Sequence, residues 1–372
     1  MTFRTFRDER GLSAFMRSKQ VCRAALSAAL TVLMIGSTTY AVRLKPGDIV
    51  GFGEIDTQVW FGAQVSQQPV MPVPPARPSR ATPLSWEHTF GGKLNDIASA
   101  VQVTADGGYI VAGTNYSKRI GLGGDAWVLK LDAQGQPEWD RTFGGEEDDR
   151  VFAVQATADG GYIVAGDTYS KGAGHYDVWV LKLDAQGEQK WERTFGGKNM
   201  DRAFAVQVTA DGGYLVVGYT GSKGAGWRPD TDNPFPHLTA WVLKLDAQGR
   251  LEWDHTLGRK KNYNSSRVQD ERAFAVQATA DGGYIVAGDT EFNSPGFHDA
   301  WVLKLDAQGK LEWERTFGGK LNDSAHAVQA TADGGYIVVG DTRSKGAGES
   351  DAWVLKLDRD GRIEEDAPKN TR

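Results

Sequence analysis

A pattern of short apolar runs occurs five times along this chain. In the second copy, residues 151–157 and 162–167 are apolar and rich in β-branched side chains, and residues 178–183 place tryptophan and leucine on one face. A period of two residues is typical of β-strands, and helical spacing is absent from these runs. A fourth run, residues 190–195, surrounds Trp191. Each copy therefore predicts four short strands.

Tight turns separate the predicted strands. An Asp-Gly-Gly turn follows the first strand, and an Asp-Ala-Gln-Gly turn follows the third strand in most copies. Glycine supplies the positive φ that hairpin turns require. The Asp-Gly-Gly turn recurs at Asp106, Asp159, Asp211, Asp281 and Asp333.

Four antiparallel strands per repeat in a radial array make a propeller blade, and a solenoid is the alternative. Hairpin-length connections favour the propeller. The array begins on a lone fourth strand, Trp86–Phe90, and ends on a third strand, residues 352–358. Pairing of these two strands would remove the open edges. We therefore predict an all-β fold over residues 86–363: a five-bladed β-propeller of four-stranded antiparallel blades, closed by the N-terminal strand of the repeat region.

Two sets of tryptophans recur with the blades, and we expect them to form the core between blades because each buries a large apolar area. One set lies in the third strand, at Trp127, Trp179, Trp241, Trp301 and Trp353. The other lies in the fourth strand, at Trp86, Trp139, Trp191, Trp253 and Trp313.

The repeat resembles known propeller sequences. Leu305–Trp313, L-D-A-Q-G-K-L-E-W, is similar to the L-D-x-x-x-G-x-x-x-W repeat of the quinoprotein-like propellers, which include pyrroloquinoline-quinone dehydrogenases and the assembly factor BamB. The fuller T-x-D-G-G-Y-I-V-A-G-x-T pattern resembles secreted bacterial and archaeal propeller-repeat proteins. The resemblance covers residues 86–363 and implies the propeller fold. The quinoprotein enzymes typically have eight blades and a cysteine pair beside the cofactor, and this chain has neither.

Composition narrows the classes of function. The formal net charge of −6 argues against a nucleic-acid-binding surface. The single cysteine, Cys22, lies outside the repeats. A disulfide framework or a cysteine-based metal site is therefore excluded from the repeat region.

The N-terminal residues predict export. A basic segment precedes an apolar run that starts at Ala24, and small residues lead to Ala41. This order is that of a signal peptide over residues 1–41, and export would be to the periplasm or the exterior. The alternative is an uncleaved inner-membrane anchor over residues 24–42. Residues 42–85, with six prolines between Pro69 and Pro83, predict an extended linker. We expect a disordered tail over residues 364–372.

Length variation between the repeats falls on one predicted face, opposite the uniform Asp-Gly-Gly and Asp-Ala-Gln-Gly turns. Two insertions lie there, and variable loops on a rigid scaffold commonly carry function. One is acidic and aromatic, with candidate binding residues Trp227, Arg228, Asp230, Asp232, Phe235 and His237. The other is basic, with candidate residues Arg259, Lys260, Lys261, Tyr263 and Arg267. Either they bind a partner or they pair with each other and cap the ring.

A recurring acid stands six residues before a recurring glutamine in each blade. Such a ring of carboxylates at the channel mouth would suit Ca²⁺, while hydrogen bonding to loop amides is the structural alternative. The acids are Asp96, Asp149, Asp201, Glu271 and Asp323. We expect the glutamines to hydrogen-bond between blades, at Gln102, Gln155, Gln207, Gln277 and Gln329.

Three functions remain as hypotheses. The first is a non-enzymatic envelope or secreted scaffold without a cofactor, which binds a protein partner through the two insertions. The second is a multivalent lectin with a glycan site on each blade. The third is a quinoprotein-like enzyme or a hydrolase, which is disfavoured because the repeated acids lack the asymmetry of a catalytic pair. Membrane contact is expected only through an uncleaved N-terminal segment.

Overall fold

The computed structural model describes residues 31–35, 38–42, 85–224, 237–258, 270–292, 294 and 297–363. Two compact units divide the chain, Met1–Ser79 and Arg80–Arg372. The described residues form strands and turns and contain no helix.

In the first unit, strands β1 (Thr31–Ile35) and β2 (Thr38–Val42) form an antiparallel hairpin in which Thr31 lies opposite Val42. Both strands lie within the predicted signal or anchor. No helix among the described residues has the length and apolar character to cross a bilayer. The signal peptide stays a prediction.

In the second unit, nineteen strands form five antiparallel sheets, which we call blades 1 to 5. Blade 1 contains β3 (Asp96–Val103), β4 (Tyr109–Asn115), β5 (Asp125–Leu131) and β6 (Pro137–Phe143). Blade 2 contains β7 (Asp149–Ala156), β8 (Tyr162–Thr168), β9 (Asp177–Leu183) and β10 (Gln189–Phe195). Blade 3 contains β11 (Asp201–Val208), β12 (Tyr214–Thr220), β13 (Thr239–Leu245) and β14 (Leu251–Leu257). Blade 4 contains β15 (Glu271–Ala278), β16 (Tyr284–Thr290), β17 (Asp299–Leu305) and β18 (Leu311–Phe317). Blade 5 contains β19 (Asp323–Ala330), β20 (Tyr336–Thr342) and β21 (Asp351–Leu357).

Strands within each blade are joined in order, and the first strands of successive blades contact one another. This arrangement is the up-and-down sheet array that the turn lengths predict, and it confirms the all-β fold. Each first strand carries a bulge, which in β7 lies between Val151 and Ala153. A bulge increases local twist.

A lysine in the third strand pairs with the aspartate of each Asp-Gly-Gly turn, and it is buried in blades 1 to 4. In blade 2, Lys182 has a side chain only 5% exposed, and its Nζ lies 2.9 Å from an Asp159 carboxylate oxygen. The same ammonium donates to the Leu183 carbonyl. Burial favours protonation of Asp159, but hydrogen bonds from Thr157 and Lys182 outweigh burial and lower the pKa of Asp159 to about 2. The Asp159 carboxylate thus provides the ion-pair partner that a buried ammonium group requires.

The hydrophobic core lies between adjacent blades. At the junction of blades 1 and 2, Val128 and Ile110 from one blade pack in a cluster with Val154, Trp179 and Leu181 from the next. Three further clusters of the same make-up fill the junctions of blades 2 and 3, 3 and 4, and 4 and 5. Each blade therefore has two different faces, one for each neighbour.

The fourth-strand tryptophans pack across the junctions. The ring of Trp139 lies 5.7 Å from that of Tyr162 in an edge-on contact, and its Nε1 donates to the Ala185 carbonyl. A Cβ at Gly187, where φ is +77°, would approach the Trp139 ring to 2.8 Å. Glycine is therefore required both for the turn and for the approach of the tryptophan.

The third-strand tryptophan of blade 2 contacts two charged groups. In blade 2, Trp179 Nε1 donates to Glu192 at 3.1 Å, and Lys171 Nζ lies 5.0 Å from the Trp179 ring centre. Lys171 also pairs with Glu192 at 2.6 Å. The fourth strand, which supplies the glutamate, therefore completes this lysine–tryptophan–acid contact. The prediction of a tryptophan core is confirmed for Trp179, whose exposed fraction is 1%.

The predicted ring closure is wrong for this structure. Trp86–Phe90 forms no strand, and β21 lies at the edge of a three-stranded sheet. Trp86 instead packs on Tyr109 of blade 1, with 5.6 Å between ring centroids. The five blades form an open array because the first and last blades do not come together. Local pattern identified the strand-like segment, but the curvature summed over four junctions decides where that segment lies.

Candidate functional site

Three first strands begin with the same pattern, an acid, an arginine, a small residue and a phenylalanine. Alternate positions of a strand share a face, so the arginine and phenylalanine side chains leave each strand together. The arginines are Arg150, Arg202 and Arg272, and the phenylalanines are Phe152, Phe204 and Phe274. All six lie in blades 2 to 4, at the end of the blades where the variable loops begin.

The phenylalanine rings form a row along the first strands. Centroids of Phe152 and Phe204 are 5.6 Å apart, and those of Phe204 and Phe274 are 5.2 Å apart. His326 of blade 5 continues the row at 5.8 Å from Phe274. Blade 1 has Ser99 at this position. The row therefore crosses blades 2 to 5 and does not extend to blade 1.

Two arginines converge on one buried carboxylate. Arg150 donates Nε and an Nη to the two oxygens of Asp167 at 3.0 and 3.1 Å, and Arg202 Nε lies 2.5 Å from the same carboxylate. The Asp167 side chain has no exposed area. Burial raises the pKa of Asp167, and the two guanidinium groups oppose that increase. The carboxylate fixes the directions of both arginines because a buried charge requires paired partners.

Blade 4 repeats half of this arrangement. Arg272 donates to both oxygens of Asp289, at 2.9 and 2.7 Å, and Ser324 of blade 5 donates to the same carboxylate. Blade 3 differs because Tyr219 stands where its neighbours have aspartate. Blades 2 to 4 thus set three arginines against two buried aspartates, and Asp148 and Asp270 act on Arg150 and Arg272 as further negative charges.

Aromatic faces complete the surroundings of the arginines. The guanidinium carbon of Arg150 lies 4.2 Å from the Tyr176 ring centre, and that of Arg202 lies 5.8 Å from the Tyr219 ring centre. The hydroxyl of Tyr176 donates to Asp148 at 3.2 Å. We call the three arginines with these aromatic side chains the arginine–aromatic cluster: Arg150, Arg202, Arg272, Tyr176, Tyr219, Phe152, Phe204 and Phe274.

The arginines of the cluster are partly accessible. Side-chain exposure is 23% for Arg150, 19% for Arg202 and 30% for Arg272. Guanidinium groups that are held rigidly beside aromatic rings suit carboxylate or phosphate groups on a ligand, because donors and charge are already oriented. The cluster therefore has the groups that can recognise an anion.

The two insertions issue from one place beside this cluster. Leu238, just after the first insertion, donates its amide to Asp270 at 2.9 Å, and the Glu271 amide donates to the Leu238 carbonyl at 3.1 Å. Asp270 lies three residues after Arg267 of the second insertion and precedes Arg272 by two residues. The bases of the two insertions are therefore hydrogen-bonded to each other.

Most of the predicted loop residues lie outside the described part of the chain. His237 is described and is half-buried, with a contact of its own. The other candidates lie outside the described residues: Trp227, Arg228, Asp230, Asp232, Phe235, Arg259, Lys260, Lys261, Tyr263 and Arg267.

The predicted ring of acids lies at the starts of the first strands and makes local hydrogen bonds. Asp149 is fully buried and accepts the Gly145 amide at 2.8 Å and the Ser170 hydroxyl at 2.7 Å. Equivalent bonds hold Asp96, Asp201 and Asp323, and Glu271 is also buried. In the described ranges no group of three or more His, Cys, Asp or Glu side chains is arranged for a metal ion. The calcium site stays a prediction.

Asp201, one of these recurring acids, faces a second buried acid that was not predicted from the sequence. Asp177 begins the third strand of blade 2, and an added Cβ at Gly196 would lie 2.0 Å from its Oδ1 and 2.6 Å from Asp201 Oδ2. Burial raises the pKa of Asp177 to about 6, the Ala173 amide opposes the increase, and Asp201 adds to it. The recurring aspartate two residues before the third-strand tryptophan was the available signal.

The predicted glutamine contacts are confirmed at three junctions. Gln102 accepts the Ala156 amide of the following blade, Gln155 accepts that of Val208, and Gln277 accepts that of Ala330. These bonds join the inner strands.

Comparison with family models gives no match. Among curated proteins, the chain is 26% identical over 224 residues to the regulatory protein FlaEY of Caulobacter vibrioides, a match that covers 56% of this chain and 21% of that protein. The chain thus spans about a fifth of the length of this relative.

Several solved structures are similar at low identity. A protein of unknown function from Bacteroides caccae is 14% identical, with 75% of this chain and 83% of that one covered and a TM-score of 0.45. An endo-arabinase from Bacteroides thetaiotaomicron is 11% identical over 71% and 94% of the chains, with a TM-score of 0.37. The Pan2 WD40 domain of Neurospora crassa is 12% identical over 70% and 88%, with a TM-score of 0.31. The propeller-like assignment therefore depends on the sheet topology described above.

Proposed function

We propose that the chain is a non-catalytic binding scaffold whose protein partner docks on the loop face of blades 2 to 4. One observation carries this proposal. The bases of both insertions are hydrogen-bonded together at Leu238 and Asp270, immediately beside the strand that holds Arg272. The variable loops and the arginine–aromatic cluster thus share one surface, as is typical of binding faces on rigid scaffolds.

The chemistry of this surface favours a partner that presents carboxylates. The arginine–aromatic cluster has three guanidinium groups against two buried aspartates, and the second insertion adds Arg259, Lys260, Lys261 and Arg267. An acidic segment of the partner would meet the partly exposed guanidinium groups of the cluster and the cations of this loop. Since Asp167 and Asp289 are occupied by arginines, they are poor candidates for acid–base chemistry.

The proposal includes export. The N-terminal signal pattern would bring the chain to the cell envelope or beyond, and the proline-rich linker would hold the blades away from an uncleaved anchor. The resemblance to the quinoprotein-like propellers remains part of the proposal at the level of fold, without a quinone.

Replacement of the first insertion tests the proposal. Blade 2 has the same loop in a short form, so residues 227–238 can be replaced by the His-Tyr pair of His175 and Tyr176. We expect capture of the partner from envelope extract to decrease at least tenfold, because the loop contacts are lost. Replacement of residues 259–269 by Gly-Lys-Asn, taken from Gly197–Asn199, should have a similar effect.

The matched control changes the loop of blade 5. Replacement of Glu349 and Ser350 by His-Tyr creates the same short loop away from the cluster. This variant should capture the partner as the natural chain does. Retention of all partners by both insertion variants, with unchanged thermal unfolding, would refute the scaffold function assigned to this face.

A further inference from the structure

The open array leaves blade 5 without a fourth strand in the described part of the chain. Strand β21 pairs with β20 on one side, and on the other only Ile363 forms a bridge, opposite Leu357. In blades 1 to 4 the corresponding edge is fully paired with a fourth strand. An unpaired strand edge beside apolar side chains is a template for association with another chain.

A segment with the sequence of the missing strand exists elsewhere in the chain. Residues 86–96, W-E-H-T-F-G-G-K-L-N-D, match residues 313–323, W-E-R-T-F-G-G-K-L-N-D, at every position except His88 in place of Arg315. The second of these segments contains the fourth strand of blade 4 and the start of blade 5. Residues 86–90 are therefore a fourth strand in sequence.

This segment sits on blade 1 as a fourth strand sits on the blade that follows it. Trp86 packs edge-on against Tyr109 at 5.6 Å, as Trp313 does against Tyr336 at 5.8 Å. A Cβ at Gly135 would lie 2.6 Å from the Trp86 ring, which repeats the relation between Gly187 and Trp139. The segment is thus in place on blade 1, and its own blade is missing.

Blade 5 has the receptor for such a segment. Lys345 Nζ lies 4.6 Å from the Trp353 ring centre, which repeats the Lys171–Trp179 contact of blade 2. In blade 2 the acid that joins these two side chains is Glu192, from the fourth strand. The corresponding acid in residues 86–90 is Glu87.

The outer faces of the array are apolar and uncovered. Val354 of blade 5 is 62% exposed, whereas its counterpart in blade 4, Val302, is fully buried. On blade 1, Val101 is 66% exposed, whereas its counterpart in blade 2, Val154, is 9% exposed. Side chains at these two positions fill every interior junction from opposite sides. The two ends are therefore the complementary halves of one more junction.

We propose that blade 5 of one chain docks on blade 1 of a second copy, whose residues 86–90 become the fourth strand of blade 5. The partner is a second copy because the two complementary ends of one chain lie apart, while those of two chains are free to meet. Such a head-to-tail contact is heterologous, so it forms a ring where the rotation closes and a longer array where it does not. This association is independent of the loop-face partner.

The strand register of blade 4 defines a crosslink for the contact. Val302 lies opposite Arg315 in that blade, so Val354 of one chain should lie opposite His88 of the next. With Cys22→Ser as background, H88C and V354C are made in separate full-length chains and mixed under mild oxidation. Opposed strand residues are close enough for a disulfide. We expect a crossed dimer as the main product.

A matched control replaces V354C by V103C. Val103 is 64% exposed, close to the exposure of Val354, but it has no place in the predicted register. Crossed product should then fall to background. In a chain that carries both H88C and V354C, covalent multimers support the proposal. A disulfide within one chain would overturn it, because the array then closes on itself. Absence of crossed disulfide would also overturn it, as expected if residues 364–372 cover the edge.

A charge exchange provides a second measurement that needs no oxidation. E87R should place a cation beside Lys345 and Trp353 of the next chain and raise the dissociation constant for self-association about tenfold or more. K345E alone should also weaken association. The E87R/K345E combination should restore it, which a merely destabilised fold would not do. A mass equal to one chain for the natural protein at every concentration in light scattering would refute the proposal.

Discussion

Individual carboxylates in this fold experience opposite environments. Asp159 faces the buried ammonium of Lys182, while Asp177 faces the carboxylate of Asp201 across Gly196. The first arrangement favours the ionised carboxylate and the second favours the protonated acid. The two groups therefore contribute to stability in different pH ranges, although both recur at fixed positions of the repeat.

The Asp177 environment predicts a pH-dependent gain from D177N. The pKa of Asp177 is raised to about 6 in the folded chain from an ordinary value of 3.8, so the folded chain binds this proton more tightly. Its contribution to stability therefore increases as pH falls from above 6 toward 4. At pH 8, asparagine should increase the free energy of unfolding by about 2–3 kcal/mol.

Chemical denaturation at pH 8 and pH 4 measures this effect. At pH 4 the natural Asp177 is protonated, so the difference between the two chains should disappear. Thr239 occupies the equivalent position beside Glu271 in blade 3, which indicates that an uncharged side chain fits there. A D177N chain that is less stable than the natural one at pH 8 would contradict the assigned like-charge contact.

Two glycines of blade 2 separate turn conformation from packing. Gly160 and Gly187 have φ values of +80° and +77°, but an added Cβ at Gly160 would meet nothing within 4 Å. G160A should cost about 1–2 kcal/mol for the left-handed backbone alone. G187A should cost about 1–3 kcal/mol more, because the methyl group would displace Trp139. Equal losses in thermal or urea unfolding would show that Trp139 does not limit this site.

At the scale of the element, blades are joined by side-chain bonds to the neighbouring inner strand as well as by the apolar core. Gln155 accepts the Val208 amide across one junction, but Gln329 has no following blade among the described residues. Q155A should lower the free energy of unfolding by about 1–2 kcal/mol, because the half-buried Val208 amide loses its acceptor.

The matched change Q329A should alter the stability of a dilute single chain by less than about 0.5 kcal/mol. Urea denaturation of both variants at low protein concentration makes the comparison. A large effect of Q329A under those conditions would indicate that the first and last blades meet within one chain.

Much of the blade could be predicted from sequence, because its strands and turns depend on local pattern. Period-two alternation located the strands of blade 2 to within one or two residues at most ends, and the Asp-Gly-Gly and Asp-Ala-Gln-Gly turns placed its hairpins. The buried pairing of Asp177 with Asp201 could not be derived in the same way. These residues come from different blades, and only the three-dimensional junction brings their carboxylates to the same glycine.

At the scale of the whole molecule, local patterns were insufficient. The sequence of residues 86–90 is that of a fourth strand, yet these residues form no strand here, because closure also depends on the angle at each of four junctions, which no short motif specifies. The arginine–aromatic cluster presents the same difficulty. The repeated arginines are visible in the sequence, whereas their convergence on Asp167 depends on how blade 2 is set against blade 3.

The free edge of β21 also bears on how such a protein changes in length. Since the surface beyond the last blade matches those between the other blades, duplication of one genetic unit would insert a blade without any new complementary surface. Docking of a separate molecule would satisfy the same surface by the same contacts. Gene duplication and self-assembly would therefore enlarge the blade array through the same contacts.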